Sequence, residues 1–308
     1  MTRKKIISFV AVFAWTFICA AADLTPKISS ITNYTEQIPG TTVKFEMVAI
    51  PGGTLEKGDR KIEIKSFYMG KYELGWPEYA LWVFGEKEKI EKEKLDGISR
   101  PTTPYGSIYR ERGERGYPAI GMSNLAASEY CLWLASKTGK KYRLPTEDEW
   151  EYTCRAGTTT PYFWGSEASK AGDYGWHIEN SDNTTQTCGK KKPNPFGLYD
   201  IVGNVAEWVA RASTNDLGWH AKDTRDGKSV TEWMARSAAN APAIARGGAF
   251  SEPVVKLRSS ARMIETPEWN ELDPQNPKSI WWLASADFVG FRVVRDADDA
   301  EKSAKPVK

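Results

Sequence analysis

Three cysteines, Cys131, Cys154 and Cys188, and two histidines, His177 and His220, are the soft and borderline ligands of this sequence beyond its first 22 residues, which hold Cys19. They do not assemble into a familiar metal motif. No Cys-x-x-Cys pair occurs, so a zinc or iron site built from thiolates and imidazoles is not expected, and two histidines cannot supply a three-histidine iron centre. In an oxidising compartment an odd set of three allows one disulfide and one free thiol. Thirteen tryptophans add another kind of chemistry, flat faces for stacking on a sugar or peptide, although core packing is the simpler role for a tryptophan.

The elements that must position these groups are legible in part. Residues 43–50 (VKFEMVAI) alternate apolar and polar and predict a strand, closed by the turn Pro51-Gly52-Gly53. Two further extended runs, IEIKSF and YMGKY, fall within residues 61–72. Pro77 opens a helix expected to reach Phe84, and the opposite charges of residues 87–94 predict a solvated helix. Ala127, Tyr130, Cys131 and Leu134 share one face of a helix over residues 124–137, which Gly139 stops. Thr146 and Glu149 form a capping box for a second central helix, carrying Trp150 and Cys154 inward and ending at Gly157. Residues 158–195 are turn-rich, a short helix is possible at 231–238, and residues 289–294 (VGFRVV) read as one closing strand. No repeat or linker interrupts this pattern, which predicts a single mixed α+β domain over residues 43–296, with a flexible lead-in at 23–42 and a polar tail at 297–308.

Charge and the N-terminus bound the partners. The 42 basic and 40 acidic residues are interspersed, and without Arg3, Lys4 and Lys5 the basic count falls to 39. That balance carries no signature of nucleic-acid binding. Arg3-Lys4-Lys5, an apolar stretch over residues 6–18 and Ala20-Ala21-Ala22 together read as a secretory signal peptide over residues 1–22. The mature chain is then expected to be secreted or periplasmic and to have no membrane association after cleavage.

Six blocks resemble the formylglycine-generating-enzyme, or sulfatase-modifying-factor, family. They are MVAIPGGT at Met47, FYMGKYE at Phe67, YCLWLASKTGKKYRLPTEDEWEYTCRAGT at Tyr130, KKPNPFGLYDIVGNVAEWV at Lys191, ARGGAF at Ala245 and VGFRVVRD at Val289. The resemblance implies a compact, loop-rich fold related to C-type lectins. Residues 274–282 (PQNPKSIWW) and GNVAEWV also resemble a subgroup of secreted bacterial members.

Family oxidases hold Cu(I) on two C-terminal cysteines, and soft thiolates suit that ion. Here no cysteine follows Cys188, so copper is not expected. The family's active-site serine, tryptophan and asparagine correspond to Ala249, Ala206 and Phe288. Cys131 and Cys154 match cysteines of the vertebrate pattern whose disulfide partners correspond to Ser259 and Val293. The resemblance further implies a structural calcium on the side chains of Asp200 and Glu207 and the carbonyls of Gly203 and Val205, oxygen ligands that a hard cation favours. The alternative is that both acids accept backbone N–H bonds in a tight turn. A second family calcium site keeps only Asp173.

Two functions follow from this pattern. The first is an exported, non-catalytic module binding a peptide, protein or glycan, with contacts at Trp219, Trp233, Trp269, Trp281, Trp282, Arg258 and Arg262. The second is an oxidoreductase of the sulfatase-modifying type, acting on a cysteine or on a small molecule, as do relatives in siderophore maturation that lack the cysteine pair. Arg258, Arg262, Glu252 and Asp287 would be its polar groups. A cleft with convergent, perturbed acids favours the second reading, and an aromatic-walled cleft the first.

Overall fold

The structure is a computed structural model that describes residues 31–85, 116–210 and 242–297. Residues 1–22, expected to form a signal peptide, residues 87–94 and 231–238, both expected to be helical, the residues after 297, and Trp219 and Trp233 lie outside the described residues. No described helix is long and apolar enough to cross a membrane.

Two sheets organise the chain. The first, in the order β1-β2-β5-β11-β6, is antiparallel throughout and comprises β1 (Tyr34–Gln37), β2 (Lys44–Ile50), β5 (Phe67–Gly70), β11 (Val294–Asp296) and β6 (Tyr142–Arg143). The second has the order β10-β7-β8-β9, with β7 (Ala206–Trp208), β8 (Ile244–Arg246), β9 (Arg262–Ile264) and β10 (Val289–Gly290), the β10–β7 pair being parallel. A separate hairpin pairs β3 (Gly53–Lys57) with β4 (Arg60–Ile64).

The helices follow the sequence closely. Helix α1 (Trp76–Val83) starts at Pro77 in its first turn, and α2 (Asn124–Thr138) is capped by Ser123 and ended by Gly139 at φ 71°. Helix α3 (Glu147–Arg155) carries the complete capping box: the Glu149 N–H donates to the Thr146 hydroxyl, and the Glu149 carboxylate accepts the Thr146 N–H. Tyr130, Cys131, Leu134, Trp150 and Cys154 are all buried, as expected.

Three expectations need correction. The lead-in is structured from β1 onward, because Glu36 turns inward to accept bonds from Lys140 and Tyr142 while its neighbours pair with β2. That strand is short and polar, so it shows no apolar alternation. Helix α3 ends at Arg155, two residues before Gly157, with Ala156 itself left-handed at φ 44°. The closing run 289–294 is two strands, not one: β10 joins the second sheet, and the chain then crosses to place β11 between β5 and β6. Arg292 stands at that crossing, fully buried.

Candidate functional site

The loop entering β7 is built from backbone that few residues accept. Asp200, Gly203 and Asn204 all have left-handed φ, at 50°, 77° and 54°, a conformation costly for a non-glycine residue. At Gly203 a Cβ would lie 2.3 Å from the Trp176 carbonyl oxygen. Bonds from several segments hold the loop. The Gly203 N–H donates to Gly247 O at 2.9 Å, the Asn204 N–H to Trp176 O at 3.0 Å, and the Phe250 N–H to Asn204 O at 2.8 Å.

Beneath this loop, four charged side chains meet out of water. Glu73, Asp200, Glu207 and Arg292 are exposed by 3% or less. Arg292 donates through Nε and Nη2 to both Glu207 oxygens at 2.6–2.8 Å, and its remaining N–H groups reach Gly70 O, Tyr199 O and Asp200 O at 3.0–3.2 Å. The indole N–H of Trp150 donates to Glu207 Oε2 at 2.8 Å. Glu73 takes the Val205 N–H on Oε1 at 2.9 Å and the Asn204 side-chain N–H on Oε2 at 2.6 Å. The Cys188 thiol donates to the same Oε2 at 3.4 Å. Asp200 accepts the Gly189 N–H on Oδ2 at 2.6 Å, while its Oδ1 is buried with no hydrogen-bond partner.

Electrostatics follow from that burial. Desolvation raises the Glu73 carboxyl well above its usual range, with Asp200 and Glu207 adding to the rise. Desolvation pushes Asp200 up to about 6 against the lowering effects of the Gly189 N–H and Arg292. The Cys188 thiol is also raised well, by burial and by Glu73 and Asp200.

The expected calcium set can be tested on this geometry. Its four residues are brought together, but Glu207 does not fit the role. A carboxylate offers about four lone-pair directions, and here three N–H groups fill them, the Arg292 Nε–H being shared between both oxygens. A full positive charge already lies against it. Of the four, Asp200 alone has a carboxylate oxygen left open. Asp173 is paired with Lys192 at the surface. The residues that sequence reasoning missed are Glu73, Asn204 and Arg292, and Cys188 was noted there only as a lone cysteine; the available signal was the acid that ends the block FYMGKYE.

The stacking candidates fare differently. Trp281 and Trp282 are core residues, 2% and 3% exposed, packed on Trp82 and Tyr79, so neither offers an open face. Trp269 spends its rings on Trp208 and Phe288. Arg262 is bonded to Glu147, and Arg258 lies on the surface. The three positions that differ from the family oxidases are apolar and packed: Ala206 and Ala249 are 0% exposed, and Phe288 lies against Trp269. Arg246 of the RGGA run is buried and structural, binding Glu147, Glu151 and Ser259 O. A cavity of about 380 Å³ adjoins this site, lined in part by Tyr72, Glu73 and Glu78.

Comparison with known proteins agrees with this architecture. Residues 35–297 match the sulfatase-modifying factor enzyme 1-like domain. The formylglycine-generating enzyme of Mus musculus is 25% identical over 82% of this chain and 75% of its own length. The chaperone protein LppX of Paenibacillus barcinonensis is 27% identical over 54% of this chain and 72% of its own. Among solved structures, PvdO from Pseudomonas aeruginosa superimposes with a TM-score of 0.55 at 28% identity, covering 82% of this chain and 94% of that one. The Treponema denticola variable protein 1 shares the fold at 18% identity and a TM-score of 0.57, covering 86% and 99%.

Proposed function

The chain belongs to the sulfatase-modifying-factor family, and from that premise we propose that it is a non-catalytic binding module whose partner is a protein or peptide. The observation that carries this reading is the state of the three oxidase positions. Ala206 and Ala249 are sealed in the core and Phe288 is packed on Trp269, so no polar group remains there to position oxygen or a substrate thiol. The cysteines do not replace them. Cys131 and Cys154 are buried, and desolvation raises both thiols, Cys154 up to about 12. A thiol held protonated is a poor ligand for Cu(I) and a poor nucleophile.

The burial of Trp281 and Trp282 weighs against a glycan-stacking platform built on them, and the likeness to a chaperone supports a polypeptide partner. The test pairs two measurements on the mature chain. Peptide and glycan arrays should show binding confined to peptides, and a peptide with the Cys-x-Pro-x-Arg motif, Cu(I) and oxygen should show no aldehyde above the metal-only control. Glycan binding alone, or aldehyde formation abolished by Cys188→Ser, would overturn the reading.

A second reading has one specific observation in its favour. Glu73 and Glu78 both line the 380 Å³ cavity, and burial raises both carboxyls. Convergent perturbed acids are a mark of enzyme sites, so a small-molecule reaction in that cavity is the alternative to binding.

A further inference from the structure

We propose that Glu73, Cys188 and Asp200 form a site for one divalent cation of borderline softness, zinc being the type, distinct from a calcium held on the Asp200 to Glu207 loop. One ligand atom from each residue lies within 4.8 Å of the other two. The Cys188 Sγ to Glu73 Oε2 distance is 3.4 Å, against about 3.6 Å for the sulfur–oxygen edge of a tetrahedral zinc site with ordinary bond lengths. A second observation points to a missing ligand: Asp200 Oδ1 is buried and unpartnered, in a residue only 1% exposed. A buried carboxylate oxygen left open costs free energy unless a proton donor or cation meets it.

Charge and ligand type narrow the ion. Glu73, Asp200 and Glu207 are three buried acids gathered around the guanidinium of Arg292, with Lys191 acting on Asp200 as well. A divalent cation that displaces the thiol proton removes one negative charge from that imbalance. Calcium takes six to eight oxygens and gains little from sulfur, whereas zinc accepts thiolate and carboxylate together and is content with three protein ligands and one open position. The Glu73 carboxylate is already oriented by the Val205 N–H and the Asn204 side chain, and Asp200 by the Gly189 N–H, the outer bonds that metal ligands commonly have. Glu73 also lines the 380 Å³ cavity, which gives the ion a route in.

On binding, the Cys188 S–H bond breaks, its proton passes to solvent, and the sulfur electron pair is donated to the metal; no redox change is involved. The experiment uses the whole chain, stripped with chelator, dialysed against zinc, and analysed for metal content; a parallel sample is titrated with cobalt(II). One zinc per chain and a thiolate-to-cobalt charge-transfer band in the near ultraviolet are expected, with calcium in excess failing to displace the zinc. Cys188→Ser, which changes only the sulfur, should abolish that band and weaken zinc at least tenfold while leaving the circular dichroism unchanged. Glu73→Gln is the less secure variant, because Glu73 also anchors Val205 and Asn204. Failure of the unmodified chain to retain zinc would overturn the proposal, as would zinc held equally well by Cys188→Ser, or preferential calcium binding indifferent to that change.

Discussion

The guanidinium of Arg292 and the carboxylate of Glu207 lie against each other at 2.6–2.8 Å, with side chains 0% and 1% exposed. Arg292 comes from the crossing between the two sheets and Glu207 from β7, so the pair ties the sheets together. Removing one partner leaves the other charged and buried. Arg292→Met is expected to cost about 3–5 kcal/mol, read from urea denaturation. The double change Arg292→Met with Glu207→Met should recover at least half of that loss. A single variant within about 0.5 kcal/mol of the parent, the usual range for a surface change, would show that the pair does not hold the sheets.

Cys154 offers a covalent test of the helix placement. The Ser259 side chain lies near enough to the Cys154 thiol to oppose the upward push of burial. Ser259→Cys is therefore expected to form an intrachain disulfide with Cys154 under mild oxidation, detected as a mass loss of about two hydrogens, and to add about 2–4 kcal/mol of stability. Two free thiols persisting at these positions after oxidation would count against the packing of α3 on the segment after β8.

The thiols themselves should be silent in the native protein. All three are raised by burial, and the reactive species is the thiolate. At neutral pH a disulfide reagent should label Cys131 and Cys154 only as the chain unfolds, and Cys188 more slowly than a free thiol. Rapid native labelling of Cys131 or Cys154 would contradict the described core.

Glu129 supplies a pH dependence whose sign can be worked out. Burial on α2 raises its carboxyl from 4.5 to about 7. Below the unfolded value the group is protonated in both states and costs nothing. As pH rises from about 4.5 to about 7, the unfolded chain releases the proton while the folded chain keeps it, so stability falls, and above about 7 the loss is complete. Glu129 retains partial exposure, so the loss is discounted for solvent screening to about 1–2 kcal/mol. Glu129→Gln should flatten the slope between pH 5 and 7; an unchanged slope would assign it to another group.

How far the sequence reached can be judged residue by residue. Local signals were dependable: Thr146 with Glu149 set the start of α3, Gly139 ended α2, and Pro77 opened α1, because each acts on backbone within four residues of itself. The site was only half legible. Asp200 and Glu207 entered only through the family resemblance of their loop, and their surroundings depend on Glu73, Cys188 and Arg292, which belong to other segments. Spacing within one segment cannot report a guanidinium arriving from residue 292. The tryptophans illustrate the same limit, since only the fold distinguishes Trp281 and Trp282 in the core from a surface platform. Strand β1 was missed because Tyr34, Thr35, Glu36 and Gln37 carry no apolar alternation, and only pairing with β2 makes them a strand.

The position of β11 bears on how the chain is made. It is the last strand among the described residues, yet it sits between β5 and β6 inside the first sheet. During synthesis, β1, β2 and β5 can pair as they emerge, but β5 keeps an unpaired edge and β6 has no strand beside it until residues 294–296 have left the ribosome. Contacts of that sequence separation are slow to form, and an open strand edge invites pairing with other chains. Completion of the first sheet thus waits on residues 294–296, and a chain truncated before residue 289 would present a ready surface for aggregation or for a holding chaperone.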